Sequence, residues 1–268
     1  MKFIDINCMV GEWGYKKLNI TTPDDLVKEM KRLNIYKALV FDSRSWMHLP
    51  SLGNDIITKE VMNYKNLLPV MALTPLIEQE FGGYEQILTY IKRNKITAIR
   101  LFPTDHGYAI SKLTMGDLFA FLEKIKIPVF VQCVGRMRGG SPANLENYYE
   151  QICELAYIYN ELPIVLLTTH YSKTRMIYKL LSKCPNISVD TSGISYFNGI
   201  EDMVKYFGSE RIFFGSRMPF NDGGVAVGRI IYSSLDYKDK ENIAYKNAIR
   251  LLSKNEFLCD VMEGVTNG

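Results

Sequence analysis

Eight short apolar runs, each followed by a longer stretch of helical period, limit what this chain can fold into. The runs are Phe3–Cys8, Ala38–Phe41, Leu68–Ala72, Ala98–Phe102, Val129–Cys133, Ile164–Leu167, Ile187–Asp190 and Ile212–Gly215. Between them, sets such as Leu26/Met30/Leu33, Ile87/Ile91, Tyr148/Ile152/Leu155 and Ile200/Met203/Val204/Phe207 keep the i, i+3, i+4, i+7 spacing of an amphipathic helix. A strand that is apolar throughout must be covered on both faces, which a parallel sheet wrapped by helices achieves. Eight such units in about 250 residues close most naturally into a (β/α)8 TIM barrel. A doubly wound open sheet is the runner-up, but no G-x-G-x-x-G follows the first run. Thr22-Pro23 ahead of Asp24-Asp25 marks a helix start: a hydroxyl cap, a proline in the first turn, acids at the positive end of the dipole. No linker-like stretch or composition break interrupts the pattern, so residues 1–268 are expected to form one domain. A short tail after about residue 253 packs on it or frays.

A net charge of +3, with no long basic run, gives no footprint for nucleic acid. Five cysteines without CxxC or CxxH spacing form no disulfide or zinc framework and fit a reducing compartment. The opening MKFIDIN lacks the apolar stretch of a secretory signal, and no run approaches about eighteen apolar residues, so neither export nor a membrane span is expected. A cytoplasmic protein follows.

In a barrel of this kind the active site lies at the C-terminal ends of the strands. All three histidines, His48, His106 and His170, fall just after the second, fourth and sixth runs. Asp42, Arg44, Asp105, Gln132, Arg136, Asp190, Arg217, Asn221 and Asp222 occupy similar positions. There is no H-x-H and no H-E-x-x-H, so nothing in the spacing preorganises a metal, and neither metal nor cofactor is expected. Arg44, Arg136, Arg138, Arg175 and Arg217 all lie near the same face, where converging guanidinium groups would bind a carboxylate. Gly139-Gly140 and Gly223-Gly224 lie in loops of that face, the second pair ahead of a helix whose N–H groups could hold an anion. Cys8 ends the first run as either a nucleophile or an inert buried thiol. Trp13 and Trp46 either line a pocket mouth or pack beneath a loop.

The last third of the chain is the most distinctive. NISVDTSG, then GIEDMVKYFGSERIFFGSRMPF and NAIRLL, resembles the end of the amidohydrolase superfamily barrel in its amidohydrolase-related branch. The matching residues are Asp190, Ser192, Arg211, Phe214, Gly215, Ser216, Pro219, Asn247, Ala248, Arg250 and Leu251. The opening FIDINCMVG matches that family's first strand in outline. The resemblance implies a barrel with decarboxylase, hydratase or lactone-hydrolase relatives, and a metal site that here is replaced piece by piece. The first-strand H-x-H reads Asn7-Cys8-Met9, the fifth-strand histidine falls near Gln132, the sixth-strand histidine falls on Thr168 or Thr169, and the aspartate after Gly-Ser is Arg217. Asn, Met, Gln and Thr are poor ligands for zinc, and an arginine repels it.

Two functions follow as expectations. In the first, the chain is a metal-independent hydrolase of the lactone or ester type, or a lyase, acting on a small anionic carboxylate. Arg217 then stabilises developing charge, His170 or His106 serves as general acid and base, and Asp190 or Asp42 orients the histidine or takes the proton. Asn7, Arg44, His48, Gln132 and Arg136 complete the substrate contacts. In the second, the barrel is a pseudoenzyme that binds a small acid or a protein partner without turnover. The stripe Tyr148-Tyr149 to Tyr157-Ile158-Tyr159 is either a homodimer face or core packing.

Overall fold

A computed structural model describes residues 1–135 and 145–255. Arg136, Arg138, Gly139-Gly140 and all but the first residues of the C-terminal tail lie outside the described residues. Eight parallel strands stand in chain order: β1 (Phe3–Val10), β2 (Ile35–Asp42), β3 (Leu67–Ala72), β4 (Ala98–Leu101), β5 (Val129–Gln132), β6 (Ile164–Leu167), β7 (Ile187–Asp190) and β8 (Ile212–Phe213). The ring is drawn shut where the Ile6 N–H donates to the Phe214 carbonyl at 3.1 Å and the Met9 N–H donates to the Met218 carbonyl at 3.0 Å. Helices alternate with the strands, as the TIM-barrel reading requires.

The alternation of side chains sorts the apolar residues into two cores. One set faces outward onto the helices and includes Val40, Ile99, Leu101, Val129, Val131, Leu166 and Val189 packed against Leu26, Met30, Ile57, Leu118 and Ile152. The other fills the barrel itself: Ile4, Ile6, Leu39, Phe41, Leu68, Val70, Phe130, Val165, Leu167 and Phe213. The first helix, Pro23–Arg32, opens as its sequence dictates. Thr22 Oγ1 accepts from the Asp25 N–H, the Asp25 carboxylate takes the Thr22 N–H, and Pro23 begins the first turn.

Two departures from the expected strands have physical causes. β8 stops at Phe213, ahead of Gly215, because the Thr191 hydroxyl accepts the Gly215 N–H (3.1 Å) and contacts its carbonyl (3.2 Å), replacing a strand neighbour. In β1, pairing with β2 is irregular between Asp5 and Cys8. A bulge lets two consecutive residues share a face. Ile6 accordingly lies in the barrel core, and Asn7 also points inward instead of alternating out. The tyrosine stripe is not one face: Tyr148 and Tyr149 are buried, while Tyr157 and Ile158 are exposed.

The helix Asn247–Leu252 plugs the N-terminal end of the barrel, sending Ala248, Leu251 and Leu252 into the inner core. Asn247 is fully buried and its Nδ2 donates to the carbonyls of Ser209 and Ile212, both at 2.7 Å. That fixes the plug to the start of β8. Asn247→Ala strands two buried carbonyls and should cost about 3 kcal/mol, read as a lower midpoint in urea with an unchanged slope. A change within experimental error would remove Asn247 from this role.

Candidate functional site

A polar network occupies the C-terminal end of the barrel interior, and its centre is a residue on β4. Arg100 is 2% exposed. Its Nη2 donates to Asn7 Oδ1 at 3.1 Å and to Gln132 Oε1 at 2.5 Å. Its guanidinium carbon stands 4.1 Å from the centre of the Phe41 ring and 5.3 Å from that of Phe102, a cation–π seating in a dry environment. The Arg100 Nε is buried without an acceptor among the described residues. Burial pushes this guanidinium down to about 9, and the charge of Arg217 pushes the same way against the pull of Asp190. Arg100 therefore stays cationic at neutral pH.

Asn7 connects the cation to a carboxylate. Its oxygen faces Arg100, a donor only; its Nδ2 lies 2.7 Å from Asp190 Oδ2 and 3.2 Å from both Thr168 Oγ1 and Ser192 Oγ. An amide is the side-chain group that can serve a guanidinium with one end and an ionised carboxylate with the other, which fixes its orientation. Asp190, fully buried at the end of β7, also accepts the Thr168 N–H at 2.8 Å. Burial pushes it up to about 6, opposed by hydrogen bonds from Ser192, Asn7 and the Thr168 backbone and by the charge of Arg100. Gly215 is required beside it, since a Cβ there would strike the Asp190 carboxylate. Thr168 and Arg217 hold left-handed backbone, φ 55° and 61°, which costs energy for any residue with a Cβ and is uncommon outside constrained sites.

Beneath the network, fully buried Asp5 accepts the N–H groups of Asn7 and Ser216, each at 3.0 Å, and braces the β1 bulge against the Gly215-Ser216 turn. Above it, Trp46 stacks on Phe102 with 5.1 Å between centroids, and Trp13 packs against both Trp46 and Phe220. Both tryptophans are thus buried in an aromatic roof. The half-buried Arg217 lies over Phe220 at 5.4 Å.

Of the residues expected at the site, the structure brings Asn7, Gln132 and Asp190 into one network. Arg217 stands close enough for its charge to act on Arg100. His106 belongs to the roof: its Nε2 is 3.1 Å from the Trp46 carbonyl and its ring lies beside Phe102. His170 is exposed, and its Nδ1 accepts the Ser172 N–H to cap the turn Tyr171–Lys173. His48 is also exposed, and Arg44 pairs with Asp42 at 3.2 Å. Arg136 lies outside the described residues. Cys8 packs in the outer core, where burial and the neighbouring Asp5 push its thiol well up and oppose the thiolate. The sequence reading missed Arg100, though a signal existed: a lone arginine in the middle of the run AIRLF.

These residues do not fit a divalent cation. The central positions carry two guanidinium groups, neutral amides, two hydroxyls and a single carboxylate already engaged by three partners. Among the described residues no three His, Cys, Asp or Glu side chains gather.

Because burial raises Asp190, its contribution to stability is fully present below the ordinary carboxylate range and is lost as pH rises through about 6. Relative to Asp190→Asn, the wild type should lose about 2 kcal/mol between pH 4 and 7, measured by urea unfolding. A pH-independent difference would contradict the assignment.

A family model described as Amidohydrolase matches residues 54–254, most of the chain. Among curated proteins, none matches. Solved structures share the fold at low identity. An uncharacterized TIM-barrel protein from Bordetella bronchiseptica is 17% identical, with TM-score 0.74 over 95% of this chain and 99% of that one. The 2,6-dihydroxybenzoate decarboxylase from Rhizobium is 13% identical, with TM-score 0.72 over 94% and 99%. The 5-carboxyvanillate decarboxylase from Novosphingobium aromaticivorans, complexed with manganese and a nitrobenzoic acid, is 10% identical, with TM-score 0.76 over 94% and 96%. With three of its strands' worth of site residues inside the matched span and β1 closing the same ring, this chain belongs to the amidohydrolase family.

Proposed function

We propose that the protein is a metal-independent lyase that removes the carboxyl group of a small carboxylic acid at the C-terminal face of the barrel. The observation that carries this reading is the pairing, in one dry network, of a cation able to hold a carboxylate with a carboxyl group able to hold a proton near neutrality. The decarboxylases that share the fold support the substrate class.

In this reading the aromatic roof excludes water and Arg217, with Arg100 behind it, draws in the acid. The bond to the carboxyl carbon breaks, its electron pair stays on the substrate, and carbon dioxide leaves. Protonated Asp190 delivers a proton to the carbon left behind and is recharged from solvent. Asn7 and Thr168 hold the carboxyl in place, and Ser192 offers it a hydroxyl. Hydrolysis of a lactone or ester uses the same anion contacts, but with Asp190 ionised as the base. The free thiols of Cys8, Cys133, Cys153 and Cys184 suit a reducing compartment, and we place the protein in the cytoplasm. Among the described residues no helix is long and apolar enough to cross a membrane.

One observation favours binding without turnover: His170, one of the two histidines expected as acid and base, is exposed and engaged with Ser172. Activity separates the two. Protein stripped with chelator should release carbon dioxide from one or more members of a panel of small aromatic and aliphatic acids. The rate should fall as pH rises through about 6, where Asp190 loses its proton, and Asp190→Asn should lower kcat by about 100-fold or more. A rate that rises through the same pH would indicate the hydrolytic use of Asp190. Binding of acids with no turnover would establish the non-catalytic reading, and activity that vanishes with chelator and returns with metal would overturn the proposal.

A further inference from the structure

A buried arginine in the inner layer of a barrel needs a reason, because a charge removed from water costs several kcal/mol unless it is fully compensated. Among the described residues, the hydrogen-bond acceptors of Arg100 gather at Nη2. Nη2 has two amide oxygens, from Asn7 on β1 and Gln132 on β5, while Nε is buried with no acceptor among the described residues. Each amide has its oxygen turned to the guanidinium and its nitrogen committed elsewhere, Asn7 to Asp190 and Gln132 to the Val134 carbonyl at 3.0 Å. The guanidinium plane is further held against Phe41. The group is held in place with its Nε–H left without an acceptor among the described residues.

We propose that Arg100 is the anion anchor of this site: its stranded Nε–H takes a carboxylate oxygen of the ligand, and Asn7 and Gln132 are positioning residues that hold the guanidinium for it. The inference rests on the carboxylate reading above and adds a residue and a division of labour to it. The positive charge that a bound metal would supply in this frame is here built into strand β4. The site therefore selects small monocarboxylates and repels divalent cations. The arrangement explains why the amides of Asn7 and Gln132 stand where the family resemblance leads one to expect ligating histidines: a guanidinium needs acceptors, and histidine beside it would compete for protons. An anion at Nε would also relieve the repulsion between Arg100 and Arg217.

The test uses wild-type protein, benzoate and acetate as probes, and Mn2+ as the competing ion. With arginine side chains labelled with 15N, titration with benzoate should move the Arg100 Nε–H resonance, assigned by its loss in Arg100→Met. Affinity for benzoate, by calorimetry, should fall about tenfold or more in Arg100→Met, and Arg100→Lys should recover only part of it because a lysine lacks the fork. If Arg100→Met does not fold, the wild-type resonance still decides. Gln132→Leu should weaken benzoate binding while leaving Mn2+ unbound, as read from an undiminished free-ion electron paramagnetic resonance signal. Benzoate binding with an unmoved Nε–H, full affinity in a folded Arg100→Met, no binding of either acid at millimolar concentration, or stoichiometric Mn2+ uptake by the wild type would each overturn the proposal. Turnover that survives in Arg100→Met would sink this inference and leave the lyase reading standing. Carboxylate binding at Arg100 without turnover would do the reverse.

Discussion

The arrangement depends on one buried charge. Arg100 points into a barrel whose apolar inner residues include Ile4, Ile6, Leu39, Phe41, Val70, Phe130 and Leu167. Nothing in that layer but hydrogen-bond acceptors and π faces can make a guanidinium tolerable there. The structure supplies two amide oxygens, two aromatic rings and, one amide further on, a carboxylate. Each of these requires something of the fold. Asn7 reaches inward because β1 carries a bulge, and the bulge is held by Asp5. Asp190 fits because Gly215 has no side chain. Thr168 donates to it from a left-handed turn that a β-branched residue adopts only under constraint.

The family's frame and this chain's chemistry are separable, as is common for barrels that host many reactions. The elements that make the barrel are conventional: parallel strands in chain order, an amphipathic shell, and a C-terminal plug tied to β8 by Asn247. The inward-facing ends of β1, β4, β5 and β7 differ from a metal centre in kind. They form a zwitterionic network, with a cation and a carboxylate joined through Asn7. Two charges of opposite sign, buried and joined through one amide, suit a reaction that binds an anion and moves a proton.

The strands, their order and the first helix cap were legible in the sequence because they rest on local pattern: apolar runs, helical spacing, and Thr22-Pro23 ahead of acids. Gln132 and Asp190 were legible as candidates because strand ends are where such barrels work, and Asn7 because it stands where the resemblance places a histidine. Their mutual contacts were not, since residues 183 positions apart meet only through closure of the ring. Arg100 was passed over because a run such as AIRLF reads as one apolar strand, and alternation alone does not reveal which face a central strand turns inward. The histidines drew attention through their chemistry, yet local geometry decides their neighbours. His170 is turned out by the cap it makes with Ser172, and His106 is drawn into the roof by the Trp46 carbonyl.

The proposed carboxylate ligand sits on a guanidinium built into β4. A crystal of the protein soaked with 4-bromobenzoate tests it most directly, because anomalous scattering from bromine locates the ring without ambiguity. The carboxylate should lie within hydrogen-bond distance of Arg100 Nε, with Asn7 and Gln132 still holding Nη2. Bromine density inside the barrel with the carboxylate turned away from Arg100, or coordinated by a metal ion at that position, would contradict it.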